Sequence, residues 1–163
     1  MPLSAYTLSR LEMQLEMLPT ILEGVNAEIA DRRPDDGGWS VKENLAHLAR
    51  HAQVFLERMN QILREDKSNV GTYRAEYDPQ WALWFNLSLD EILVRLRDSR
   101  ARLVRWAKSL SDEQTKRIGI HPLLGEMEIE RWVEFFLLHE AHHLYYAMRR
   151  IGEARTAQHR DAS

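Results

Sequence analysis

Seven histidines and no cysteine bound the chemistry open to this chain of 163 residues. Without thiols there is no disulfide framework, no thiolate metal site and no cysteine nucleophile, so any metal must be held by His, Asp or Glu. Two histidine pairs have a spacing that matters, His47 with His51 and His139 with His143. Residues four apart on a helix stack on one face about one turn apart, close enough for two imidazoles to grip one ion. At about 100° per residue, His139 and His143 share the face of Trp132, Phe135, Phe136 and Tyr146, while Glu140 and His142 lie on its flanks. Two imidazoles buried side by side need partners for up to four ring nitrogens, and a metal satisfies one on each ring. His47 and His51 lie at the edge of a stripe through Leu48 and Phe55, and either could add a third imidazole from a facing helix. Three histidines with positions left for water or substrate form the open arrangement of a catalytic metal.

The string His139-Glu140-Ala141-His142-His143 also fits H-E-x-x-H, in which the glutamate of a zinc protease is a general base. The longer metzincin form needs glycine and histidine where Tyr146 and Arg149 stand. A peptide cleft is commonly edged by a strand, and no segment shows sustained strand alternation, so proteolysis is not expected. Glu140 and Tyr146 remain the nearest acid–base candidates to the histidines.

The elements that must position these residues are helices. Leu8, Leu11, Leu15, Leu18, Leu22, Val25 and Ile29 repeat in steps of three and four, which marks a first helix with a kink or restart at Pro19. A second begins at the capping box Ser40-Val41-Lys42-Glu43 and runs through Leu45, Leu48, Ala52, Phe55, Met59 and Ile62 to about Arg64. A third opens at a similar box, Ser88-Leu89-Asp90-Glu91, and its seam is interrupted at Ser99 or Arg100. The fourth, with Ile129, Trp132, Phe135, Phe136 and Tyr146 on its apolar side, is bounded by Pro122 and Gly125 upstream and Gly152 downstream. Four such helices bury their stripes against one another, so an all-α four-helix bundle is expected over residues 1–152, with a frayed tail over 153–163. Residues 65–87 are long enough to return along the bundle, a crossover that would let helices two and three run parallel. That crossover carries Tyr73, Tyr77, Trp81, Trp84 and Phe85, rings that would pin it to the bundle or line a pocket, and Trp39 is expected over the bundle end.

The composition, 44% apolar and 29% charged, suits one compact domain. The longest stretch free of Asp, Glu, Lys and Arg is 79–89, far short of the roughly 20 apolar residues of a membrane span. A net charge of −3 with no basic block argues against nucleic-acid binding. Residues 1–8 have no basic start leading into an apolar block, so a cytoplasmic protein is expected.

Three segments together resemble one family: Trp39-Ser40-Val41-Lys42-Glu43-Asn44-Leu45-Ala46-His47-Leu48, then His121-Pro122-Leu123-Leu124-Gly125, then Phe136-Leu137-Leu138-His139-Glu140-Ala141-His142-His143. The chain is similar along nearly its whole length to the DinB/YfiT-like superfamily of metalloenzymes. That resemblance implies a four-helix bundle, commonly a homodimer, with a divalent metal such as zinc or nickel on three histidines. Carried over, these are His47, His139 and His143, which selects His47 over His51. Many members have a glutamine three residues after the last of these histidines, where this chain has Tyr146. The implied activity is that of a metal-dependent transferase or hydrolase acting on a small molecule. Some relatives use a low-molecular-weight thiol such as mycothiol or bacillithiol, which this cysteine-free chain would take from outside. The contrasting expectation is a non-catalytic binding or dimerisation bundle, with a structural ion or none.

Overall fold

A computed structural model describes residues 3–161 of the chain. The first helical stripe is broken into pieces. Helix α1 (Ala5–Met13) is capped by Ser4, whose Oγ accepts from the Thr7 amide at 3.1 Å, and passes into a 3₁₀ turn, Gln14–Met17. Pro19 sits in the first turn of α2 (Leu18–Ile21), where its missing donor is harmless, so the chain restarts there; α3 (Ala27–Asp31) follows, capped by Asn26. Helix α4 (Val41–Arg64) starts at a complete capping box, with the Glu43 amide donating to Ser40 Oγ and the Ser40 amide to the Glu43 carboxylate. In the crossover, α5 (Trp81–Phe85) buries Trp81 and Trp84 against the core, while Tyr77 is exposed and the Phe85 side chain lies outside the described part. Helix α6 (Leu89–Ser109), opened by the Ser88 and Glu91 box, leads through α7 (Asp112–Thr115) to α8 (Ile129–Asp161).

The core is in two parts, and their membership gives the helix directions. One part joins Leu45 and Leu48 from the first half of α4, Ile92 and Leu96 from the first half of α6, and Leu144, Ala147 and Ile151 from the middle and second half of α8. The other joins Leu11 of α1, Phe55, Met59 and Ile62 from the end of α4, Leu103 and Ala107 from the end of α6, and Ile129, Trp132 and Phe136 from the start of α8. Helices α4 and α6 therefore run parallel, as the long crossover permits, and α1 and α8 run the opposite way. Leu45, Met59, Trp132 and Phe136 are almost completely enclosed, and each such side chain contributes about 1.5–3 kcal/mol relative to exposure. No helix among the described residues is long and apolar enough to cross a membrane.

Two expectations are corrected. The chain does contain strands: β1 (Ser68–Asn69), β2 (Ile118–His121) and β3 (Gly125–Glu128) form a small sheet in that order, with β1 parallel and β3 antiparallel to β2. Strands of two and four residues are too short for alternation to register in a sequence. Gly119 is required where β2 crosses the core, because a Cβ there would lie 2.3 Å from Ile62 Cδ1. Gly125 turns the hairpin at φ +72°. The second correction concerns the tail, because α8 continues past Gly152 to Asp161 with Ala154 buried. The packing of Ile151 and Ala154 outweighs the roughly 1 kcal/mol that a mid-helix glycine costs; residues 162–163 lie outside the described part.

Candidate metal centre

The boundary between the two apolar cores is polar, and every helix of the bundle contributes to it. The 3₁₀ turn brings Gln14, α4 brings His47 and His51, α6 brings Ser99 and Arg100, and α8 brings His139, Glu140 and His143. Within this waist His47, His139 and His143 converge, each offering one ring nitrogen, and these atoms all lie within 4.8 Å of one another. The Nε2 atoms of His47 and His139 face each other at 3.2 Å, and the His143 ring centre is 4.4 Å from that of His47 and 4.7 Å from that of His139.

Burial governs the protonation of the cluster. Loss of water around the rings, reinforced by repulsion among the neighbouring imidazoles, lowers the pKa of His47 to about 2, of His143 to about 3 and of His139 to about 4. All three are neutral at pH 7, each with a lone pair to give. Their hydrogen bonding is incomplete, since the buried Nδ1 atoms of His47 and His139 meet no protein partner. A divalent ion fits this donor set. Two imidazole nitrogens on a tetrahedral ion at about 2.0–2.1 Å stand roughly 3.3–3.4 Å apart, close to the separation seen between His47 and His139.

Aromatic rings wall the cluster. Trp39 lies 4.8 Å from His47 and 5.7 Å from His143, and Trp81 of the crossover packs on Trp39 at 5.4 Å. Tyr73 stands 5.6 Å from both His47 and His51, its hydroxyl donating to Asp78, which also receives Arg50 Nε at 2.7 Å. The crossover rings thus pin the connection and line the site at once, and Trp39 walls the histidines as well as packing on the bundle. His139 and His143 are half-buried, so the cluster opens to solvent on the α8 side.

The other candidates are placed elsewhere. His51 is buried beside the cluster, 4.1 Å from His139 and parallel to Phe136, yet it does not join the three converging nitrogens. Glu140 points about 100° around α8 from His139, where its fully buried carboxylate is ion-paired to Arg100 and accepts from Gln14 Nε2 at 2.8 Å. It is therefore committed to the fold, which removes it as the general base that the H-E-x-x-H spacing suggested. Tyr146, about one turn along α8 from His143, packs edge-on against the exposed His142 at 4.7 Å and under the Arg150 guanidinium at 5.9 Å. His121 is structural, its Nδ1 accepting from the amides of Leu123 and Leu124 to close the hairpin. Asn44 was not anticipated: its Oδ1 lies 2.9 Å from His143 Nδ1. Its position three residues before His47 on the same face of α4 is the signal that could have found it.

Known proteins share this architecture. The chain superposes on YfiT of Bacillus subtilis, described as a probable metal-dependent hydrolase with an unusual four-helix bundle topology, with a TM-score of 0.71 at 22% identity, covering 94% of this chain and 86% of that one. It also matches the four-helix bundle protein TT2238 with a TM-score of 0.63, again at 22% identity, over 86% and 94% of the two chains. Similarity at this identity establishes the fold alone. In sequence it is 23% identical over 139 residues to an Oceanobacillus iheyensis protein provisionally named metal-dependent hydrolase OB0413, spanning 84% of this chain and 79% of the relative. It is 26% identical over 138 residues to YuaE of Bacillus subtilis, covering 76% and 83% of the two chains. The sequence pattern of one family matches residues 10–147, a span that takes in α4 and α6 whole, the first part of α8 and every histidine of the cluster, and the chain belongs to the DinB superfamily.

Proposed function

We propose that His47, His139 and His143 hold one divalent transition-metal ion, zinc or nickel, and that the protein is a metal-dependent hydrolase of a small molecule. The observation that carries this reading is the convergence of one nitrogen from each of three neutral imidazoles, all within 4.8 Å, at a partly open point of the polar waist between two apolar cores. Two neutral imidazole nitrogens facing each other at 3.2 Å can share only one hydrogen, whereas one ion would accept the lone pairs of all three rings, so the convergence is better explained by a ligand than by packing. An ion bound there supplies Lewis acidity toward a water molecule or a substrate oxygen.

The chain's own residues do the rest. Burial keeps the three rings unprotonated, so no proton competes for their lone pairs at neutral pH. Trp39 and Trp81 exclude water from one side of the cluster, and Tyr73, fixed by Asp78, closes a second. The half-buried edges of His139 and His143 leave the approach for a small molecule. With Glu140 held by Arg100, the carboxylate that the motif offered is not available to receive a proton at the site.

Elemental analysis of the untagged protein, alongside His47→Ala, tests the site. About one equivalent of metal per chain, lost in the variant, is expected. No metal after reconstitution with a panel of divalent ions would overturn the reading. Turnover of small amides and esters by the loaded protein is the expected activity. Activity that appears only when a low-molecular-weight thiol is supplied, with that thiol consumed, would replace hydrolysis by thiol transfer at the same ion.

A further inference from the structure

We propose that Asn44 is a positioning residue that fixes His143 as its Nδ1–H tautomer and so presents Nε2 to the ion; the inference rests on the metal site proposed above. Asn44 is buried in the first turns of α4 with its amide fully committed. Its Nδ2 group donates to the Ser40 carbonyl at 2.8 Å and faces the Trp39 carbonyl at 3.3 Å. Both are pure acceptors, so the amide cannot be turned over, and Oδ1 must be the atom facing His143. Oδ1 accepts only, so the ring nitrogen 2.9 Å away must carry the hydrogen. In a neutral imidazole the lone pair then sits on Nε2, the nitrogen that His47 and His139 also turn toward each other.

Two features set this contact apart. Among the three clustered histidines, His143 is the one whose Nδ1 has a protein partner, since those of His47 and His139 are buried without one. The platform under Asn44 is also rigid: the Ser40 carbonyl receives both the Asn44 amide and its side chain, within a turn locked by the Ser40 and Glu43 box. The same side chain ties the Trp39 backbone, so the wall ring and the ligand beside it share one anchor.

The test uses metal-free protein labelled with ¹⁵N in its histidines and long-range ¹H–¹⁵N correlation, which reads the tautomer without metal or activity. The wild type should show His143 with its hydrogen on Nδ1. Asn44→Leu, near in size and without an acceptor, should lose that tautomer. Zinc affinity, measured by competition with a chromophoric chelator, should fall about ten- to hundredfold in Asn44→Leu. An unchanged tautomer and affinity in Asn44→Leu would overturn the proposal. If Asn44→Leu does not fold, the wild-type spectrum still decides, because a hydrogen on Nε2 of His143 is incompatible with it. A wild-type protein that binds no zinc would overturn the function proposed above, while the tautomer would continue to test the role of Asn44.

Discussion

His139 and Glu140 are neighbours in the chain, about 100° apart around the same helix, and they face two opposite kinds of buried polarity. On the Glu140 side everything is matched. The carboxylate meets Arg100 and Gln14, Arg100 also donates to the Leu11 carbonyl at 2.7 Å, and its guanidinium lies over the Phe136 ring. On the His139 side the matching is partial, with two facing nitrogens and buried Nδ1 atoms on His47, His51 and His139 that meet nothing. A buried polar group whose partners are complete belongs to the fold, whereas three ring nitrogens turned toward one point are arranged for a ligand. The waist of the bundle thus has a structural half and a chemical half, set side by side on α8.

That contrast can be broken by exchanging the properties of the two halves. His139→Ala and His143→Ala should each take metal content from about one equivalent to none, whereas Glu140→Gln and His51→Ala should retain it. Equal metal loss in His47→Ala and His51→Ala by elemental analysis would undo the ligand assignment. Removing one partner of the buried ion pair, by Glu140→Gln or Arg100→Ala, should lower stability by about 3–5 kcal/mol in urea denaturation, since it leaves the other group buried and unmatched. A loss under 1 kcal/mol would mean that water already reaches the pair.

Smaller effects follow on the chemical side. Chelation should lower the melting temperature of loaded wild-type protein by the equivalent of about 2.7 kcal/mol when free metal had been a hundredfold above its Kd, and should leave His139→Ala unmoved. The smallest effect concerns pH in the metal-free protein. The folded pKa values of His47, His139 and His143 lie below the ordinary unfolded value near 6.5, so on acidification the unfolded chain takes up protons that the native state refuses. Stability should therefore fall between pH 7 and pH 6, by about 0.7 kcal/mol for each histidine, and a flat profile would show that the rings are hydrated in solution.

What the sequence disclosed followed from local rules. Capping boxes at Ser40 and Ser88 open α4 and α6, and the four-residue spacing of His139 and His143 puts both on the core face. The interrupted seam at Arg100 and the acidic Glu140 were both visible as anomalies, but only packing shows that each is the other's explanation. Asn44 was hidden for a related reason, because its importance lies in what its oxygen faces across 99 positions of chain. The sheet escaped because its strands are held by register with one another and by the fit of Gly119 against Ile62, neither of which leaves a periodic trace. Gly152 misled because a glycine ends a helix only where packing does not carry it onward.

The parallel run of α4 and α6 gives the site a place in time as well as in space. His47 and His139 are separated by 92 positions, and they can meet only after the crossover has returned along the bundle, the hairpin has turned and α8 has docked. Contacts of such long sequence separation form late, after the loop-closure entropy has been met. An ion gripped by both helices would therefore be absent from the barrier that the folding chain climbs and present only in the basin beyond it. It would leave the refolding rate unchanged and slow unfolding, so that a loaded molecule is distinguished less by how fast it forms than by how long it lasts.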